Sequence, residues 1–255
     1  MYLDLWVETL LDLLPFKKHL SEMLFFRYFP LKNTSIERLF KDFLEKTNEK
    51  IAISYRHFLK GNKSINELNR GLQAFHQEVL NDFIASQRLE VAIVTFGSSI
   101  STIQEPSLLS NFQMPTLSTS GTTKLVDAVR LGMDLIDTRK QWYKQTGQSY
   151  YRPMMILITD GEPDSDQDMG GLSIEVRNKV DSKSFTLYAL GVEGYNHTKL
   201  ASITPTHTPP MKLKGLAFSE FFKWLSNSIG VITKSKEGDI LSLPPASGWA
   251  QMIID

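Results

Sequence analysis

Met154-Met155-Ile156-Leu157-Ile158-Thr159-Asp160-Gly161-Glu162-Pro163 decides the fold. Its first six residues, all apolar or β-branched, run without interruption and then stop at a carboxylate, a glycine and a proline. A continuous apolar run of this length predicts a strand covered on both faces, and the residues that end it are those of a tight turn. The pattern recurs on either side. Val91-Ala92-Ile93-Val94-Thr95-Phe96 halts at Gly97, Phe185–Gly191 forms another run, and Ile51-Ala52-Ile53 a shorter one. Between the runs, apolar residues return at helical spacing. After a capping Ser64 the stripe is Ile65, Leu68, Leu72, Phe75, Val79 and Phe83; from about Lys124 to Tyr143 it is Leu125, Ala128, Val129, Met133 and Ile136. Further helices are expected near Ile174–Val180, Thr198–Ile203 and Phe218–Ile232, with short edge strands at Ser101–Gln104 and Met211–Leu213. Strands and amphipathic helices in alternation predict an α/β fold: a doubly wound, mostly parallel central sheet with helices on both faces. Sites in such sheets form at the carboxyl ends of the strands, where the strand order reverses.

The ends of the chain read differently. Nine aromatics (Tyr2, Trp6, Phe16, Phe25, Phe26, Tyr28, Phe29, Phe40 and Phe43) crowd into residues 1–50. Leu3, Trp6, Leu10, Leu13 and Leu14 share a helical face that Pro15 ends, and Thr34-Ser35-Ile36-Glu37 is a capping box. Residues 1–50 are therefore expected to be a helical N-terminal extension, residues 51–235 the α/β domain, and residues 236–255 a C-terminal tail. That tail holds Pro244-Pro245 and Trp249, and it is expected to return over the domain, since an exposed Trp wastes apolar area.

Bulk composition excludes several functions. Hydrophobic residues make up 42% of the 255 and charged residues 22%, which is enough apolar matter for a core. Lys plus Arg and Asp plus Glu both total 28, so no net charge draws the chain to nucleic acid or to an anionic membrane. Without cysteine, disulfides, thiolate metal sites and thiol nucleophiles are ruled out. Asp4, Glu8 and Asp12 interrupt the first apolar run, so it does not read as a signal peptide, and no stretch is long and apolar enough to predict a spanning helix. A cytoplasmic protein is expected. Nucleophile-elbow and phosphate-cradling glycine motifs are missing, so neither an enzyme nor a cofactor is expected.

Asp160-Gly161-Glu162-Pro163 after its strand, together with Ser120-Gly121-Thr122-Thr123-Lys124-Leu125 upstream, resembles the fourth-strand signature and the Gly-Gly-Thr loop of von Willebrand factor A domains. Ile65–Gln73 resembles the opening of their first helix. Phe221-Phe222-Lys223-Trp224-Leu225-Ser226-Asn227-Ser228-Ile229 is similar to the last helix of the bacterial tellurium-resistance Y subfamily. The likeness spans about residues 51–235. It implies a metal-ion-dependent adhesion site, in which an Asp-x-Ser-x-Ser motif, a Thr and an Asp hold Mg²⁺ and the ion takes a carboxylate from a partner. For the subfamily it implies a bacterial stress-response system that includes a protein kinase and a phosphatase.

The chain departs from that site. Counted from Ile51–Ile53, the Asp-x-Ser-x-Ser positions fall on Ser54, Arg56 and Phe58, and no neighbouring register supplies an Asp. Thr123 and Asp160 remain as candidate oxygen ligands, Thr123 alternatively as a helix cap and Asp160 as the residue of the turn. Arg56 is expected to replace the ion as the counter-charge of Asp160. Asp164, Asp166, Asp168 and Glu175 have the carboxylate spacing of a calcium loop, but Met169 stands where that loop needs glycine, and a solvated acidic loop is expected. His57 reads as an ordinary loop histidine. The expected function is a protein–protein interaction or scaffold module with a degenerate metal site. The alternative is a Mg²⁺-dependent ligand-binding protein that retains Thr123 and Asp160.

Overall fold

The computed structural model describes residues 49–56 (backbone only), 62–118, 123–160, 162–235 and 242–252. The helices expected before residue 49 lie outside them. Strand β1 (Glu49–Arg56) leads through helix α1 (Asn62–Asn81) and the short α2 (Phe83–Arg88) to β2 (Leu89–Phe96). Strand β3 (Ile100–Leu108), helix α3 (Leu125–Thr146) and strand β4 (Met154–Thr159) follow, then α4 (Met169–Asp181), β5 (Thr186–Gly191), α5 (His197–Ile203), β6 (Met211–Leu213), α6 (Phe218–Thr233) and β7 (Ala250–Met252). They build one seven-stranded sheet in the order β3-β2-β1-β4-β5-β6-β7. Only the outer pairs, β2 with β3 and β6 with β7, are antiparallel. This is the doubly wound, mostly parallel sheet expected from the apolar runs.

Strand β4 shows why the sheet needs cover on both sides. All six of its residues are buried. Met154, Ile156 and Ile158 enter one core with Leu68, Leu72 and Phe75 of α1 and Phe218, Phe222 and Leu225 of α6. Met155 and Leu157 enter the other, with Val129 and Met133 of α3, Leu172 and Val176 of α4, and Leu200 of α5. Successive strand residues point to opposite faces, so one apolar run supplies two cores.

Several elements differ from expectation, each for a local reason. Strand β1 continues to Arg56 because it pairs with β2 along its whole length and with β4 from Ile51 to Tyr55, so Ser54 lies within the strand rather than in the loop after it. Ser64 lies inside α1, which begins at Asn62. Phe83 does not join the buried stripe. Asp82 ends α1 and accepts hydrogen bonds from the backbone N–H groups of Ile84 and Ala85 as the cap of α2, which leaves Phe83 81% exposed. Strand β3 is longer than its expected core, and its residues alternate in burial as suits an edge.

Helix α3 is tied to the sheet by an ion pair. Glu90 on β2 is buried, and Arg139 donates from Nε to its Oε2 at 2.8 Å and from its second nitrogen to Oε1. The guanidinium also lies 4.1 Å from the Trp142 ring centre, and its pKa is raised by the Glu90 hydrogen bonds. The tail is strapped down as well. Trp249 is buried, with ring centres 4.9 Å from Phe221 and 5.1 Å from Trp224. Trp224 Nε1 donates to the Pro244 carbonyl at 2.7 Å, and β7 extends the sheet beside β6.

Helices α1 and α6 meet at Gly71. A Cβ there would stand 2.5 Å from Cδ2 of Phe222 and 3.2 Å from the Phe218 carbonyl oxygen. Intrinsic helix propensity favours alanine over glycine by about 1 kcal/mol, but overpacking a core costs about 1–3 kcal/mol. Gly71→Ala is therefore expected to lower stability in urea unfolding; an increase would mean that the two helices part freely.

Candidate functional site at the strand ends

Strands β1 and β4 are neighbours whose chains leave toward opposite sides of the sheet, and their carboxyl ends stand level, with Tyr55 opposite Ile158. A crevice at such a switch point is where this architecture places its chemistry. Asp160 is the first residue past β4 and is 3% exposed; Thr123, just before α3, is 1% exposed. Ser54 and Arg56 are strand residues, level with Val94 and Phe96 of β2. Phe58 and His57 lie outside the described residues.

The loop after β4 is braced on both sides. Thr123 N–H donates to Asp164 Oδ1 at 2.9 Å, and the Thr123 carbonyl accepts from Asp164 N–H at 3.1 Å and from the Gln167 side-chain amide. Gln167 Oε1 accepts from Val126 N–H at 2.7 Å. The first turn of α3 is thus capped from another loop. Lys124 holds the cap position with no side-chain bond, so Thr123 is not the helix cap it could have been. On the other side, Asn196 Nδ2 and Lys199 Nζ donate to the two Glu162 oxygens at 2.6 and 3.0 Å. Gly194, at φ +95, passes close under the Asp160 carbonyl, where a Cβ would come within 3.3 Å.

The acidic stretch is committed rather than simply solvated. Asp168 caps α4 by accepting from Gly171 N–H at 2.8 Å, and it also takes Arg130 at 3.1 Å. Arg130 holds Glu175 at 2.7 Å as well. Of the calcium-spaced carboxylates, Asp164, Asp168 and Glu175 each have a protein partner, and the described residues contain no cluster of three or more His, Asp or Glu suited to a metal. Residues 54–61, at and after the end of β1, include no Asp or Glu. Hard divalent ions ask for six or more oxygens, usually with several carboxylates among them.

Residues 63–219, more than half of the chain, match the von Willebrand factor type A domain. The chain belongs to that family. Solved structures agree on the fold of this von Willebrand factor A domain. The pilus adhesin SpaC from Lactobacillus rhamnosus GG superposes with a TM-score of 0.56 at 13% identity, covering 72% of this chain and 30% of that one. The vWF domain of the type V pili tip protein Mfa5 from Porphyromonas gingivalis gives 0.52 at 8%, covering 76% and 98%. The D319A mutant of the PilB minor pilin from Streptococcus sanguinis gives 0.50 at 12%, covering 72% and 61%. The chain therefore spans less than two thirds of SpaC and of PilB. No curated protein sequence matches it. No helix among the described residues is long and apolar enough to cross a membrane.

The braces were the part that sequence reading missed. Asp168 three residues before Gly171, at the start of a helix, is a local capping signal. Gln167 capping α3 across 41 residues leaves no local trace. Gln167→Ala is expected to cost about 1–2 kcal/mol and to speed hydrogen exchange at Leu125 and Val126; unchanged exchange would show that the cap is not used.

Glu162 and Asp168 also set a pH dependence. Asn196 and then Lys199 hold Glu162 below the usual carboxylate range; Gly171 N–H and then Arg130 do the same for Asp168. A carboxyl with a depressed folded pKa adds stability above its unfolded pKa, about 4, and loses it as pH falls through the folded value. Hydrogen exchange in residues 162–171 and 196–199 is expected to accelerate below about pH 4 before it does in β4. Simultaneous loss in β4 would refute local release.

Proposed function

We propose that this von Willebrand factor A domain is a protein-interaction module that presents the surface at the ends of β1 and β4 to a protein partner and works there without a metal ion. The observation that carries the reading is the donor set: residues 54–61 offer no carboxylate, and Asp164 is spent on Thr123. A braced loop supports it too, because a surface held rigid before binding loses less entropy on association. The site positions are Ser54, Arg56, Phe58, Thr123 and Asp160. Arg56, the last residue of β1, supplies the positive charge that Mg²⁺ supplies in a complete site, since a buried carboxylate needs charged or hydrogen-bonding partners. The pilus adhesin and pilus-tip domains that share the fold make a binding role the natural comparison. The domain is non-enzymatic and cytoplasmic in this reading. The likeness of Phe221–Ile229 to the tellurium-resistance Y subfamily suggests a bacterial stress-response setting with a kinase and a phosphatase.

Calorimetric titration with Mg²⁺ and Mn²⁺ tests the metal-free reading, with no heat of binding expected. Saturable binding that Asp160→Ala abolishes would favour the alternative, a Mg²⁺-dependent site built on Thr123 and Asp160. A double-mutant cycle of Arg56→Ala and Asp160→Ala is expected to show coupling of about 1 kcal/mol or more; additive effects would remove Arg56 from the site.

A further inference from the structure

Of the seven large apolar side chains that stand exposed among the described residues, Leu80, Phe83 and Ile84 flank Asp82 in the chain, and Val231 lines the groove that Asp82 borders. Phe83 protrudes most, at 81% exposure. Its support is firm. Asp82 Oδ1 accepts from Ile84 N–H at 3.0 Å and Ala85 N–H at 3.1 Å, and Asp82 Oδ2 takes Lys234 Nζ at 2.8 Å. That ion pair and the cap hold Asp82 well below its usual pKa. An aromatic on a pinned corner is the kind of side chain that anchors an interface.

Beside this knob lies an open groove of about 650 Å³ between α1, α2 and α6, with Val79, Ala85, Gly230 and Val231 among its lining. A knob next to a hole suits a two-fold axis, which sets each knob into the other copy's hole. The charges permit it. Glu78 and Asp82 line the α1 side and Lys223 and Lys234 the α6 side, and the whole chain carries no net charge. With the axis along the groove, the α1 wall of one copy faces the α6 wall of the other, so an acidic wall meets a basic one and no like charges are opposed.

We infer that this corner is a self-association surface: Phe83 of one copy enters the α1–α6 groove of a second copy of this chain, and the two-fold axis returns the same contact. The patch is small beside a standard interface of about 1,600 Å², so the dimer forms as concentration rises rather than being obligate. It leaves the strand-end loops of both copies open.

Sedimentation equilibrium of the full chain over a concentration series tests this. The expected mass rises toward twice that of the monomer. Phe83→Asp is expected to weaken association about tenfold or more, with unchanged melting because the side chain is exposed. Gly230→Leu fills the groove from the opposite wall; a Cβ there meets only Asp82 Oδ2, at 3.7 Å, so folding is spared. Each variant alone is expected to stay monomeric. Their mixture is expected to associate more tightly than either variant alone, because one retains the groove and the other the phenylalanine and one of the two contacts is restored. A wild-type chain that stays monomeric throughout the series, a dimer indifferent to both substitutions, or a mixture that associates no more tightly than either variant alone would each overturn the inference. So would a chain that captures a different protein through Phe83 while never pairing with itself.

Discussion

Burial of β4 on both faces is the constraint from which the rest follows. A strand with no exposed side can carry no polar side chain along its length without a partner, so polar chemistry is pushed to its ends. Asp160 is where that pressure is first released. The two cores that β4 feeds require helices on both sides of the sheet, and those helices must be reached by crossovers that leave β1 and β4 in opposite directions. The crevice at the strand ends is thus a by-product of packing. What a given chain does with it depends on the loops.

In this chain the loops are tied to one another. Asp164 and Gln167 join the β4 loop to the start of α3, and Glu162 joins it to the start of α5. At the far end, Arg139 fixes α3 to β2 through Glu90. Helix α3 is therefore fixed at its first turn and again in its second half. The carboxylates of Glu162, Asp164 and Asp168 serve as caps and clamps, which exchanges adaptability for a fixed shape.

Much of this was legible in the sequence because it is local. The five apolar residues and the threonine of β4, the stripes of α1 and α3, and the buried Trp249 each announce themselves through period or through the cost of exposure. Where reading failed, the deciding contact was distant or masked by a pattern that ran on. Phe83 continues the period of α1, so nothing short of the Asp82 cap reveals that the helix has already ended. Ser54 and Arg56 carry no strand signal of their own and are drawn into β1 by pairing with β2. The α3 cap comes from Gln167, 41 residues away, where no window of helix-start residues would look.

Strand β3 has a consequence for the chain in crowded solution. It is an edge strand of nine residues, long enough to template the pairing of another chain. Its pairing with β2 is broken by register shifts between Val91 and Val94, and it carries Glu105 and Pro106 in its second half. A kinked edge with a missing N–H and a fixed charge is a poor template for a further strand. Strand addition is thereby discouraged along that flank.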